Sequence, residues 1–275
     1  MSEKCCFRYN EDTVTYLYET HLHTAGVSKC AASKGADYIA GYKDKGYSGI
    51  IVTDHFYNAN CALSRSLEWR EWVNLFYKGY EDTKNEGEKQ GLDVFFGWEE
   101  TFDGCDDYLV YGLDKEWLLA HPEVRKWTRG EQYSAVKAAG GCVVQAHPFR
   151  QRYYIKRIVL STGCVDGVEI ANGGNDGWAD VLARRYAEKL NKPMLAGSDI
   201  HDVSQIYNDG ILGVYFDRKL SGIKDFVNAV CKNEIAGLKA EREMYNFACN
   251  ENITIPVDVR DENDRVTGKD WKEYL

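Results

Sequence analysis

Residues 14–23 read VTYLYETHLH, and residues 49–55 read GIIVTDH. In each, a short run of apolar, β-branched and aromatic residues ends abruptly in histidine or acid. The pattern recurs in VFFGWE (94–99), CVVQAH (142–147) and MLAGSDIH (194–201). Such runs, separated by longer stretches with helical spacing, predict an α/β fold with a mainly parallel sheet. Strands are expected at 16–19, 49–53, 94–97, 108–111, 142–146, 167–171, 194–196 and 211–215. Helices are expected at about 33–45, 64–90, 130–139, 176–190 and 222–231. In such a sheet, closed into a barrel or open, the strand C-termini share one face, where sites are built from several loops. The polar residues that end these runs therefore converge.

The converging groups are His21, His23, His55, Glu99, His147, Asp199 and His201, with Asp54 beside His55. Imidazoles and carboxylates of this kind are ligands for divalent transition metals. In His21-Leu22-His23 an extended backbone points both imidazoles to one side and Leu22 to the other. Asp199-Ile200-His201 repeats that geometry. A carboxylate such as Glu99 can bridge two cations roughly 3.5–4 Å apart, an arrangement that drives phosphate-ester hydrolysis. Each piece alone has a bland reading: solvated histidines, an N-cap aspartate, a satisfied core histidine, a solvated Glu99–Glu100 pair. The ordered set, each member behind its own apolar run, points to a metal centre. His121, in LLAHPEV, lacks that setting and reads as a surface or helix-start histidine.

These motifs resemble the PHP (polymerase and histidinol phosphatase) domain family. The matching stretches are His21-Leu22-His23, Thr53-Asp54-His55, Gly97-Trp98-Glu99, Ala146-His147-Pro148 and Gly197-Ser198-Asp199-Ile200-His201, in the family's order over about 16–215. The resemblance implies a distorted (β/α)7 TIM-like barrel with its metal centre at the C-terminal ends of the strands. It also implies two to three divalent ions (zinc, manganese or iron) and hydrolysis of phosphoesters. It assigns His21, His23, Glu99 and Asp199 to a first ion, Glu99 and His147 to a second, and His55 and His201 to a third. The chain departs from the family twice. Ser28, with Lys29 beside it, stands where an acid or histidine usually follows the H-x-H motif, and Asp107 stands where a histidine often opens the strand before Tyr-Gly. Asp107 keeps a carboxylate that can still ligate.

The expected chemistry is attack of an activated water on phosphorus, with His201 or Asp54 protonating the leaving alcohol. Arg150, three residues past His147, and Asn172, at the end of GVEIA, are candidate substrate contacts; a guanidinium matches phosphate bidentately. Solvated-loop and turn readings stand beside them. Tyr153 and Tyr154 pack beside a substrate ring or simply cover the barrel. Neither G-x-G-x-x-G nor G-x-x-x-x-G-K-[ST] occurs, so no nucleotide cofactor is expected.

Length and composition agree with one barrel domain. The chain has 275 residues, 44% hydrophobic and 28% charged, enough apolar material for a core and not a disordered composition. Residues 241–275 read as a C-terminal extension or tail, with ITIPVDVR a possible edge strand. No apolar run approaches the ~20 residues that span a bilayer, and the start lacks a signal-peptide core, so no membrane association and a cytoplasmic location are expected. Net charge is 34 − 43 = −9, which disfavours general nucleic-acid binding. The nine cysteines form no C-x-x-C pair and read as thiols in a reducing compartment. The expected partner is a small soluble phosphate ester, in a histidinol-phosphatase-like reaction. Two alternatives remain: an amidohydrolase-type metal hydrolase, disfavoured because Glu99 fills the bridging place of a carbamylated lysine, and a non-catalytic metal-binding or regulatory module.

Overall fold

The computed structural model describes residues 15–104, 106–207, 210–240 and 252–275. Part of the expected extension (241–251) and Cys5, Cys6, Cys105 and Cys249 lie outside the described residues. The strands are β1 (Tyr16–Leu22), β2 (Gly49–Val52), β3 (Asp93–Phe102), β4 (Asp106–Tyr111), β5 (Cys142–Ala146), β6 (Ile158–Ser161), β7 (Gly167–Asn172), β8 (Met194–Gly197), β9 (Gly213–Phe216), β10 (Gly237–Lys239) and β11 (Val257–Arg260). The α-helices are α1 (Gly35–Asp44), α2 (Trp69–Gln90), α3 (Lys115–Ala120), α4 (Arg129–Ala138), α5 (Gly177–Leu190) and α6 (Ile223–Cys231).

One sheet runs in the order β10-β9-β1-β2-β3-β4-β5-β7-β8. Its two halves meet where Leu22 bridges Ile200 in parallel and His23 N donates to Ile200 O at 3.0 Å. The sheet therefore nearly closes into a barrel from β1 through β5, β7 and β8. The first half of β1 pairs instead with β9, outside the ring. At this change of partner β1 carries a bulge between Glu19 and Leu22. The buried Glu19 carboxylate fills the break. Its Oε1 accepts the backbone N–H groups of Thr20, His21 and Ser198 at 2.9, 2.8 and 2.9 Å, and its Oε2 accepts Tyr42 Oη–H at 2.7 Å. Burial raises the carboxyl's pKa, and these donors only partly offset it.

The α/β barrel class is as expected, but the strand count and alternation differ from seven regular β/α units. β4 runs antiparallel to both β3 and β5. The link from β3 to β4 is too short for the crossover helix that parallel strands need, and Asp103 (φ 53°) and Gly104 (φ 64°) turn the chain in a left-handed conformation. β6, β10 and α3 were not expected. α2 starts at Trp69 rather than 64, and places Trp72 and Phe76 in the core with Phe56 and Trp98 while Leu75 is exposed. Within the C-terminal stretch, β11 pairs in parallel with β6, and Trp271 lies 6.1 Å from Phe149, ring to ring. No helix among the described residues is long and apolar enough to cross a membrane.

Candidate metal centre

His21 lies in β1 and His23 one residue past its end. His55 follows β2 and is bridged in parallel to Glu99, which stands inside β3 where that strand continues beyond the rim. His147 follows β5; Asp199 and His201 follow β8. The structure thus brings all seven strand-end residues to one end of the barrel. Two of them, His147 (φ 29°) and Asp199 (φ 52°), adopt left-handed backbone conformations that non-glycine residues seldom take. Such strain persists where surrounding structure enforces it, and functional sites concentrate it.

Distances are those of a polydentate cluster. His21 Nε2 and His23 Nε2 are 3.1 Å apart. Asp199 Oδ1 lies 3.5 Å from the first and 3.1 Å from the second. Glu99 faces two ways: Oε1 lies 3.4 Å from His21 Nε2 and 3.1 Å from His147 Nε2, while Oε2 lies 3.5 Å from His23 Nε2 and 2.7 Å from His55 Nδ1. Despite that shortest approach, Glu99 Oε2 and His55 Nδ1 make no hydrogen bond of acceptable geometry. Buried polar atoms left unpaired at close range fit a shared cation. Three overlapping sets place one ligand atom per residue within 4.8 Å of one another: His21–Glu99–His147, His21–His23–Asp199 and His23–His55–His201. The donor set is all imidazole and carboxylate, which suits zinc, manganese or iron.

The charges are strongly coupled. Burial alone would lower His21, but Glu169, Asp199 and Glu99 outweigh it and hold the imidazole well above its ordinary pKa. Burial, then the neighbouring His55 and His201, hold His23 well below it. Burial would raise Glu99 and Asp199, but the facing imidazoles, with Arg150 beside Asp199, keep both carboxyls well below the usual range.

The other expected residues fall outside this inner set. Asp107 stands at its margin, with Oδ2 3.9 Å from His147 Nε2 and Oδ1 accepting Thr101 Oγ1–H at 2.5 Å. Asp54 does not face the cluster, contrary to its expected role as a proton donor there. Oδ1 accepts Thr24 N–H and Ser28 Oγ–H, and Oδ2 accepts Thr24 Oγ1–H, all at 2.6 Å. Burial raises this carboxyl to about 6, with those donors pulling the other way. Ser28 relays the contact inward, since its Oγ is 3.2 Å from His23 Nδ1 and accepts His55 N–H at 3.0 Å.

Arg150 is not a free rim guanidinium. Its Nη2 donates to Asp199 Oδ2 at 2.7 Å and to Asn172 Oδ1 at 2.5 Å, and its Nε donates to Asn175 Oδ1 at 2.8 Å. It orients Asp199. Asn172, also expected to touch substrate, is fully buried and bonds Arg150 on one side and Glu169 Oε2 (2.8 Å) on the other. His121 stays apart, stacked on Trp117 at 4.3 Å. Tyr153 and Tyr154 are exposed rather than covering the barrel.

Two contributors escaped the sequence reading. Glu169, the single charge in the buried strand β7, lies with Oε1 2.9 Å from His21 Nδ1, and its Oε2 accepts His147 N–H at 3.0 Å. A lone acid in an apolar run was the available signal. Fixing the far nitrogen of a metal-binding imidazole sets its tautomer and basicity. Glu169→Gln is accordingly expected to weaken metal binding by about 10–100-fold; a metal titration with an unchanged midpoint would contradict this. The second is Cys30. Partial burial would raise its thiol, but hydrogen bonds to His201 and His55 outweigh it and bring it down to about 6. No motif marks it. Gly197 belongs to the same architecture: a Cβ there would meet His21 Cβ at 2.4 Å and Glu169 Oε1 at 2.6 Å, so β8 can pass under His21 only as glycine.

Among known proteins, the PHP-associated family (PHP_C) matches residues 178–235. No curated protein matches in sequence. Among solved structures, a two-domain protein of Bacteroides vulgatus, described as containing a predicted PHP-like metal-dependent phosphoesterase, superposes with a TM-score of 0.57 at 15% identity over 81% of this chain and 64% of that one. The lesion-specific endonuclease PfuEndoQ from Pyrococcus furiosus superposes with a TM-score of 0.51 at 13% identity over 82% of this chain and 57% of that one. This chain thus spans less than two thirds of either neighbour, and at these identities the likeness is one of fold. With an endonuclease sharing the fold, net charge alone does not support the expected exclusion of nucleic acid. The PHP-associated match over residues 178–235, the likeness of fold to a PHP-like barrel and the five ordered motifs at the strand ends all agree with the expected resemblance to the PHP domain family.

Proposed function

We propose that the protein is a metal-dependent phosphoesterase that hydrolyses a small soluble phosphate ester, as in histidinol-phosphatase-like reactions. The observation that carries this reading is Glu99, one buried carboxylate with an oxygen toward His21 and His147 and the other toward His23 and His55. Divalent ions held by these residues would supply a water activated near neutral pH and positive charge for the phosphoryl oxygens. The protein's own groups do the rest. Glu169, Arg150 and Ser28 fix the orientations of His21, Asp199 and His23. His201 has the most exposed imidazole of the cluster, 26% open. Its Nδ1 lies 2.8 Å from the Asp199 carbonyl, which leaves Nε2 to hold a metal or to protonate the leaving alcohol. Asp54, enclosed by Thr24 and Ser28, is not assigned that step.

The test is elemental analysis of protein purified without chelator, followed by a hydrolysis panel of phosphomonoesters, nucleotide phosphates, damaged oligonucleotides, amides and lactones. Two to three equivalents of zinc, manganese or iron, with phosphate released from the small esters, are expected. Chelation should abolish turnover and lower the melting temperature. A site saturated at 100 times its Kd contributes about 2.7 kcal/mol, or roughly 5–10 °C in a chain of this size. Full turnover after chelation would overturn the proposal. Cleavage of amides alone would favour the amidohydrolase reading, and metal-dependent stability without hydrolysis the non-catalytic one.

A further inference from the structure

His147 holds a backbone conformation (φ 29°) that its neighbours must enforce. Its own N–H is anchored on Glu169 Oε2. Beyond it the chain leaves β5 as a loop, 148–157, that belongs to no strand or helix. Between 148 and 156 the backbone-to-backbone hydrogen bonds among the described residues are local, Arg150 N to His147 O and Ile155 N to Arg152 O. Side chains therefore hold this loop in place. Arg150 reaches Asp199, Asn172 and Asn175. The next side chain goes to the C-terminal segment instead. Gln151 Nε2 donates to Asn252 O at 2.7 Å, and its Oε1 accepts Thr254 N–H and Thr254 Oγ1–H, both at 3.0 Å. One amide thus takes the place of a strand partner for residues 252–254. Phe149, fully buried, packs against Trp271 of the same segment. At the far end of the loop Pro256 O accepts Ile158 N–H at 2.8 Å, where β11 begins to pair with β6. Residues 252–271 therefore hold the loop after His147 at three points.

We propose that the C-terminal segment is a brace for the metal centre, with Gln151 as its positioning residue. By fixing the loop after β5, it keeps His147 against Glu99 and Arg150 against Asp199. Gln151 acts only through that loop, as a residue that supports a ligand rather than one that supplies a ligand. Its reach is limited, because the His23–His55–His201 set draws on no residue of the loop. This inference rests on the metal-centre reading above, and the experiment separates the two.

The full chain is chelated and titrated with Co(II), with binding followed in the visible d–d absorption. Gln151→Ala and Trp271→Leu touch the loop through different chemistry, yet each should weaken the same single binding step by about 10-fold, the lower range for residues that support a ligand. The d–d spectrum of that ion should change in both. Thr254→Val removes one of the three bonds to Gln151, so it should weaken the step less, and it should add nothing to Gln151→Ala. In the chelated protein, Gln151→Ala should speed amide hydrogen exchange in 148–156 and leave β1, β2 and β3 as in the wild type. Leu220→Ala is the control for general loss of stability, since Leu220 is buried in a core cluster that contains no loop residue. It should lower the melting temperature of the chelated protein and leave every binding step in place. Faster exchange in 148–156 with all steps unmoved would reduce the contact to a structural one and overturn the role of Gln151. Unchanged exchange in Gln151→Ala, or a Leu220→Ala variant that weakens the same step, would overturn it too, while leaving the metal-centre reading intact. A wild type that binds no ion would overturn both.

Discussion

Glu99→Gln should reduce phosphate-ester turnover by about 10³-fold, comparable to loss of a principal electrostatic group in an active site, while leaving the fold intact. The substitution changes no volume. What it removes is the charge and one of two equivalent oxygens. Glu99 approaches four imidazoles, two from each oxygen. An amide offers one carbonyl oxygen and an NH2 that cannot face a cation, so at most one side of the bridge survives. Metal content should therefore fall by at least one equivalent. Far-ultraviolet dichroism should match the wild type, because Glu99 N and O bonds to Asp54 and Phe56 are backbone contacts that the change does not touch. The neighbouring Glu100 provides the control. It is equally buried, but its carboxylate bonds Asn58 N and Thr101 N, away from the histidines, and burial raises its pKa to about 8. It is close to neutral already at pH 7, so Glu100→Gln should leave metal content unchanged. Equal losses in both variants would mean that the bridging role is misassigned.

That contrast also shows what was legible in the sequence. Glu99 and Glu100 are adjacent, and side-chain alternation along β3 alone separates the one facing the barrel end from the one facing away. The histidines were legible for a similar reason: each ends an apolar run, and a barrel gathers such ends on one face. Residues that act through others were not. Arg150 and Asn172 looked like rim contacts from their positions after strands, yet their contacts turn inward to Asp199 and Glu169. Asp54 read as a proton donor to the leaving alcohol, yet its carboxylate is taken up by Thr24 and Ser28. Side-chain direction in a loop follows from long-range packing that local pattern does not encode. The same holds for β4: its apolar run was expected, but its antiparallel direction depends on the turn at Asp103–Gly104 rather than on the strand itself.

Arg129→Ala should lower stability by about 3–5 kcal/mol, the usual cost of breaking a buried ion pair from one side. Arg129 opens α4 with its side chain 4% exposed. Its Nε and Nη2 grip both oxygens of the equally buried Asp106 at 2.7 and 2.5 Å, Nη2 also reaches Asp103, and the guanidinium lies 5.0 Å over the Phe102 ring. Burial already pushes the Asp106 carboxyl up, and Arg129 is the main group opposing it, with Tyr108 Oη–H donating as well. Without Arg129 the acid must stay charged and buried with one donor or take up a proton; either costs the folded state. At roughly 2–4 °C per kcal/mol for a chain of this length, the melting temperature should fall by about 6–20 °C. The double variant Arg129→Met, Asp106→Leu should lose much less, since paired charges can be exchanged for apolar volume at little net cost. The consequence reaches the site, because Asp106 is followed in β4 by Asp107, which stands beside His147. Arg129→Ala should therefore weaken metal retention as well as stability, whereas the double variant, with the strand start still packed, should keep its ions. A single variant that melts within about 2 °C of wild type, an effect of only about 0.5–1 kcal/mol, would show that Asp103, Tyr108 and the turn hold β4 without the guanidinium.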